Sequence, residues 1–221
     1  MVLVIVVLLG LLVVAEYFWP EKVVRAEENV LALLLATITL VSFAQVIARY
    51  GFNTGWGGAL EITRILFAWM ILFGMSYGVK TSSHLGVDAV IRLFPKPVFK
   101  GAALFGALCG ILYAVILLKA DWLQVFGADT KGGALHYWDK FYKIGIGLDD
   151  LRYPEWFQEA FGVQERVQRW IAYLMLPIGL ALLAFRCLQA FVQIWRGQRE
   201  LMVASHEAED LVAQNKTVTE E

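Results

Sequence analysis

The sequence predicts an all-α integral membrane protein, a four-transmembrane-helix bundle with amphipathic helical segments and a possible extra apolar helix at its N-terminal end. Three observations predict it. Of the 221 residues, 59% are hydrophobic, where soluble domains hold about 45–50%. Four stretches, residues 30–48, 62–79, 101–118 and 170–195, approach or exceed the ~20 mostly apolar residues that a bilayer crossing needs. Basic residues gather at alternate connections, as the positive-inside rule requires.

Taken in order, residues 2–15 form an uninterrupted apolar run that ends at Glu16 and the Trp19-Pro20 break. Without a basic start or an Ala-x-Ala ending it is unlike a cleavable signal, so residues 1–19 read as an uncleaved helix of uncertain status. A membrane domain follows over residues 20–200. Its first span, 30–48, is free of charge; the second, 62–79, carries only Arg64; the third, 101–118, is again uncharged; the fourth, 170–195, contains Pro177 and, near its end, Arg186. Residues 201–221 are a polar, acidic tail.

Lys80, Arg92, Lys96 and Lys100 face only Asp88 in the second-to-third connection, and Arg196 and Arg199 follow the fourth span. Both regions are expected in the cytoplasm, which places residues 50–60 and 121–169 outside. Trp122 and Trp170 then mark outer ends of spans and Trp195 an inner end, while Trp69 sits mid-span and is expected to pack on a neighbouring helix. The 121–169 connection is rich in aromatics, and residues 155–161 after Pro154 read as a short amphipathic helix on the membrane surface or against a partner.

Several functions are excluded. His84, His136 and His206 all lie outside the apolar runs, which argues against a haem ligated among the spans. Cys109 and Cys187 form no CxxC pair and read as two buried small hydrophobes. A net charge of −1 gives no reason to expect nucleic acid. There is no nucleophile–base arrangement or phosphate loop, so neither an enzyme nor a cofactor is expected. His84 and Asp88, four residues apart, are two groups short of a metal site and read as loop-ordering residues.

The remaining polar residues are candidates for helix contacts. Glu61 and Arg64 lie on one helical face and are expected to pair, either as a polar anchor for the second span against another subunit or as an interfacial ion pair of topological use only. Arg49 either shares Glu61 or snorkels to headgroups. Gly74-x-x-x-Gly78 and Gly106-x-x-x-Gly110 are small-residue packing surfaces, against each other or a partner, and Gln45 is placed to bond a neighbouring helix. No span has a mid-membrane Asp, Glu, Lys or His, the groups usual in proton relays and ion-coupled carriers.

The block Val46-Ile-Ala-Arg49-Tyr50-Gly-Phe-Asn53, then Glu61-Ile-Thr-Arg64-Ile-Leu-Phe-Ala-Trp69, then Phe73-Gly74 and His84-Leu-Gly-Val-Asp88 resembles the small membrane subunit, DctQ type, of TRAP (tripartite ATP-independent periplasmic) transporters. The resemblance covers roughly residues 27–199. Trp170-Ile-Ala-Tyr-Leu-Met-Leu-Pro177-Ile-Gly179, Phe185-Arg186 and Tyr77-Gly-Val-Lys80-Thr81 look like the members that serve C4-dicarboxylates. The resemblance implies a scaffold subunit, with no cofactor, in a bacterial inner membrane, multi-pass with a cytoplasmic C-terminus and in contact with membrane lipids. It would dock on a large DctM-type membrane subunit that holds the substrate and sodium sites, and offer surface to a DctP-type periplasmic binding protein. The apolar run before Pro20 and the long 121–169 connection depart from the family pattern. Alternative readings are a small homo-oligomeric channel or carrier, with Glu61, Arg64 and Gln45 as its only polar lining, and a membrane-anchored enzyme or electron-transfer subunit.

Overall fold

The computed structural model describes residues 1–81 and 96–197. It is helical almost throughout. Helix α1 spans Val2–Phe18 and α2 spans Pro20–Gly51. The break between them falls where Pro20 can only begin a helix, its fixed φ and missing N–H suiting the first helical position. Helix α3 is Gly58–Thr81 and α4 is Lys96–Leu118. A five-residue helix, α7 (Arg169–Tyr173), leads into α8 (Met175–Trp195). Four helices, Pro20–Gly51, Gly58–Thr81, Lys100–Leu118 and the run Arg169–Trp195, are long and apolar enough to cross a membrane; α1 is a shorter apolar helix.

Two differences from the sequence reading have simple causes. Residues 20–29, which precede the first span expected at 30–48, belong to the same helix α2, which at 32 residues is about 48 Å long. Its first turns are polar but good helix formers, with Glu21 and Arg25 spaced four apart and 4.0 Å from each other. The 170–195 span is broken after Tyr173. Pro177 has no N–H for the Tyr173 carbonyl and its ring crowds that carbonyl, and Leu174 N–H turns to the nearer Ile171 carbonyl at 3.3 Å.

The chain groups into two compact units: Met1–Gly74 with Ala114–Leu182, and Met75–Tyr113 with the residues from Leu183 on. In the first, α1 lies beside α8, with Ile5, Leu8 and Leu9 facing Ile178, Ala181 and Leu182 across a narrow crevice. Helix α2 turns only a thin stripe inward, Leu31, Leu34, Ile38, Val41, Gln45 and Ala48, spaced alternately three and four as in a packed helical seam. Between its membrane-length helices a close approach falls at Gly179, where an added Cβ would lie 2.7 Å from Leu72 Cβ of α3.

In the second unit Ala103 and Ala107 of α4 are buried, and a Cβ on Gly110 would lie 2.8 Å from Cys187 Sγ of α8. Small residues are what let membrane helices approach. The expected Gly106–Gly110 pair is therefore half right. Gly110 packs, but Gly106 has no neighbour within 4 Å, because the seam runs through Ala103, Ala107 and Gly110, and Gly106 is on the exposed side. Cys109 is exposed for the same reason and only Cys187 is buried, against the expectation for both. Lys100 Nζ donates to the Trp195 carbonyl at 3.1 Å, a cation on the terminal carbonyls of α8 where the helix dipole favours it.

Between α4 and α7 lies a small module in the first unit that holds none of the membrane-length helices. A 3-10 turn (Asp121–Phe126), α5 (Ala134–Ile144), strand β1 (Gly147–Arg152), α6 (Glu155–Phe161) and strand β2 (Arg166–Gln168) follow one another. Only α6 was expected. The strands pair antiparallel, Gly147 with Gln168 and Arg152 with Arg166, with an irregular register between. That bulge explains why β1 escapes a period-two reading: Leu148 and Leu151 both turn inward although three residues apart. Gly147 is required at its position, since a Cβ there would stand 2.5 Å from Arg166 Cβ.

The Gly179 contact yields a prediction. Gly179→Ala should destabilise the chain by about 1–3 kcal/mol through overpacking, read as a lower melting temperature in detergent. Adding Leu72→Ala should restore part of the loss; if the double variant melts below both single variants, the close approach is not what holds α3 to α8.

Candidate functional site

Glu61 sits in the first turn of α3, where its negative charge suits the helix N-terminus. Its Oε2 accepts the backbone N–H of Asp150 in β1 at 2.9 Å. Beside it Gly58 lets the hairpin close in: a Cβ there would meet Leu151 Cδ1 at 2.9 Å and the Asp150 carbonyl oxygen at 3.1 Å. The carboxylate thus fastens the β1–β2 hairpin to the start of α3.

The expected Glu61–Arg64 pair is not formed. Arg64 belongs to the exposed stripe Leu60, Arg64, Phe67, Ala68 and Ile71, while Glu61 lies on the half-buried flank, so the two side chains diverge. Arg49, at the end of α2, is also exposed and does not share Glu61. Gln45 bonds the following loop where a neighbouring helix was expected, its Oε1 accepting Trp56 N–H at 3.2 Å. In that loop Asn53 has φ 51°, a left-handed conformation that Asn tolerates better than most residues, and Thr54 N–H returns to the Ala48 carbonyl at 2.9 Å.

Trp69 packs on a neighbouring helix as expected and does more. Its indole N–H donates to the Ala172 carbonyl at 3.1 Å, just ahead of the break that Pro177 causes. The bond ties α3 to the short helix α7 that leads into the last span. Gly74 brings α3 near α2, with Leu31 Cδ2 3.8 Å from where its Cβ would be, and Gly78 is buried. His84 and Asp88 lie outside the described residues.

Sequence reading missed other polar and aromatic partners. The 150 amide and the 172 carbonyl are backbone groups, invisible to any residue pattern. Trp138 and Tyr142 of α5 stack at 5.2 Å, and Trp170 of α7 meets them edge-on at 6.2 and 5.7 Å. This cluster ties α5 to the entrance of the last span, and the spacing 138–142 on an aromatic-rich helix is the signal that could have found it. Arg186 is only 2% exposed; its Nη1 donates to Gln189 Oε1 at 2.8 Å and its guanidinium lies 5.6 Å from the Phe185 ring. Glu27 is likewise buried. Among the described residues no three His, Cys, Asp or Glu side chains gather in a way that could hold a metal ion.

What the arrangement offers chemically is surface. None of the apolar window of α2 is buried within the chain, against 44% for the Arg169–Trp195 run. The outward faces of α2 and α3 are apolar, with Arg64 and Arg49 near one end, and suit lipid or another membrane helix.

Two measurements check these contacts. Glu61→Ala should speed hydrogen exchange of the Asp150 amide about fivefold, in line with losing roughly 1 kcal/mol of hydrogen bonding, whereas Arg64→Ala should leave it unchanged. Trp69→Phe should cost about 0.6–1.7 kcal/mol in detergent, the range for interhelical hydrogen bonds in membranes; an unchanged melting temperature would mean that the indole bond carries no stability.

Residues 38–146 match the family model described as "Tripartite ATP-independent periplasmic transporters, DctQ component". The match begins in α2 and takes in α3, α4 and α5. A C4-dicarboxylate TRAP transporter small permease protein of Vibrio cholerae is 37% identical over 193 residues, 83% of this chain and 77% of that protein. Proteins of the same description from Pseudomonas aeruginosa and Rhodobacter capsulatus are each 29% identical, over 84% and 75% of this chain and 90% and 74% of their own lengths. The relatives and the family are components of a transporter and not enzymes. The chain belongs to the DctQ component family of tripartite ATP-independent periplasmic transporters, as a small membrane subunit.

Proposed function

We propose that this small subunit is a scaffold in a sodium-coupled transporter that imports C4-dicarboxylates. It works with a large DctM-type membrane subunit and a DctP-type periplasmic binding protein, in the bacterial inner membrane and surrounded by lipid. The solute class is supported by the names of the relatives from three bacteria, each a C4-dicarboxylate small permease protein. The scaffold role is carried by one observation: the described span interiors are closed by alanine, glycine and apolar contacts. Among the described residues their middles hold no carboxylate, lysine or histidine, and the buried Arg186 is engaged with Gln189. Such a chain has nothing with which to desolvate and release a dicarboxylate or a sodium ion.

Lys80, Lys100 and Arg196 lie at one set of span ends, which favours a cytoplasmic location for that side and for the C-terminal tail, residues 201–221. The module from 121 to 169 then faces the periplasm, where the binding protein docks. Residues 20–200 form the membrane domain and α1 adds to it. The exposed stripe of α3, with Arg64, and the unburied face of α2 are the surfaces offered to the large subunit. Arg49, Glu61, Trp69, Gly74 and Gly78 shape these helices.

Two arms test the proposal. Arg64→Ala should reduce co-purification of the large subunit several-fold while leaving the unfolding free energy of the chain alone within about 0.5 kcal/mol, as for an exposed position. The isolated chain in liposomes should accumulate no four-carbon dicarboxylate under a sodium gradient. Gradient-driven uptake by the chain alone would replace the scaffold reading with that of a carrier.

A further inference from the structure

The 3-10 turn after α4 ends in two large apolar side chains with no intramolecular cover. Val125 is 85% exposed and Phe126 77%. The loop that presents them is held from within. Ala120 N–H donates to the Gly132 carbonyl at 2.8 Å, Gly132 N–H to Asp121 Oδ1 at 2.8 Å, and Gln124 Nε2 to the Thr130 carbonyl at 2.9 Å. Gly127, at φ 79°, reverses the chain directly behind Phe126, and its N–H returns to the Gln124 carbonyl at 3.0 Å. The pair therefore stands at the apex of a stiff turn and not on a loose strand.

We propose that Val125 and Phe126 form a wedge that dips into the headgroup–acyl boundary of the leaflet where α4 leaves the membrane. Residues 122–128 contain no charge, and the flanking Asp121 carboxylate is turned back onto Gly132. The turn begins three residues after α4 ends at Leu118, and Leu117 in the last turn of α4 is itself exposed. Trp122, which meets Phe126 edge-on at 6.0 Å, is a residue type that favours the interface. Two side chains are too small a surface for a stable protein contact, which needs about 800 Å² per partner. A bilayer requires only apolar side chains on a backbone whose polar groups are already satisfied, and such insertion reaches about 5–10 Å.

The test uses the full chain in nanodiscs, with Cys109→Ala as background and nitroxide labels at Val125→Cys, Phe126→Cys and, for comparison, Thr130→Cys. Power-saturation electron paramagnetic resonance reads accessibility to oxygen, which concentrates in lipid, against a water-soluble nickel chelate. The expected result is a several-fold higher oxygen-to-nickel ratio at 125 and 126 than at 130. Equal ratios at all three positions would overturn the proposal. So would labels at 125 and 126 that read as aqueous in the chain alone and lose access to both reagents only when the large subunit is co-reconstituted, which would make the turn a protein contact.

Discussion

Lipid tails are as apolar as leucine, so burying leucine between helices gains nothing over leaving it in the bilayer. What holds membrane helices together is close approach and the internal satisfaction of every polar group. The close contacts between the membrane-length helices of this chain follow from that. Gly179 against Leu72 joins α3 to α8, and Gly110 against Cys187 joins α4 to α8. Both involve α8, the most buried of the membrane-length helices. The short helix α7 ahead of it is held as well, by the Trp69 indole of α3 on the Ala172 carbonyl.

The same requirement governs the extramembrane module. A short bulged hairpin of two strands is marginal alone. Here it is seated on Gly58, capped by Glu61 and reached through α5, whose Trp138 and Tyr142 pack on Trp170 at the entrance of the last span. The carboxylate that looks from spacing like half of a helix-surface ion pair is a clasp between the membrane region and the module. Arg64 is thereby left on an outward stripe, which suits it to contact with something outside the chain.

The scaffold reading rests on the balance between these inner and outer surfaces. Its helices bury a narrow seam each and leave broad apolar faces, α2 most of all. A carrier would show the reverse, with ionisable groups gathered inward on a path. Among the described residues, the buried charges Glu27 and Arg186 are held within the packing, and Arg186 has a glutamine three residues away that shares its desolvation cost.

The sequence by itself determined the class, the number of membrane-length helices and the family, because hydropathy, span length and the block from Val46 to Trp69 are properties of consecutive residues. It also placed α6 after Pro154 and expected Trp69 to meet a neighbouring helix. Only the tertiary structure decided which side of each helix packs. Gly106 and Gly110 sit four apart, yet one is open and the other is pressed on Cys187, since a helix rotation of a few tens of degrees decides between them and glycine spacing does not fix that rotation. The partners of Glu61 and Trp69 were equally hidden. Both are backbone groups far along the chain, the 150 amide and the 172 carbonyl, and a backbone group becomes a partner only when a bulge or a broken helix turns it outward.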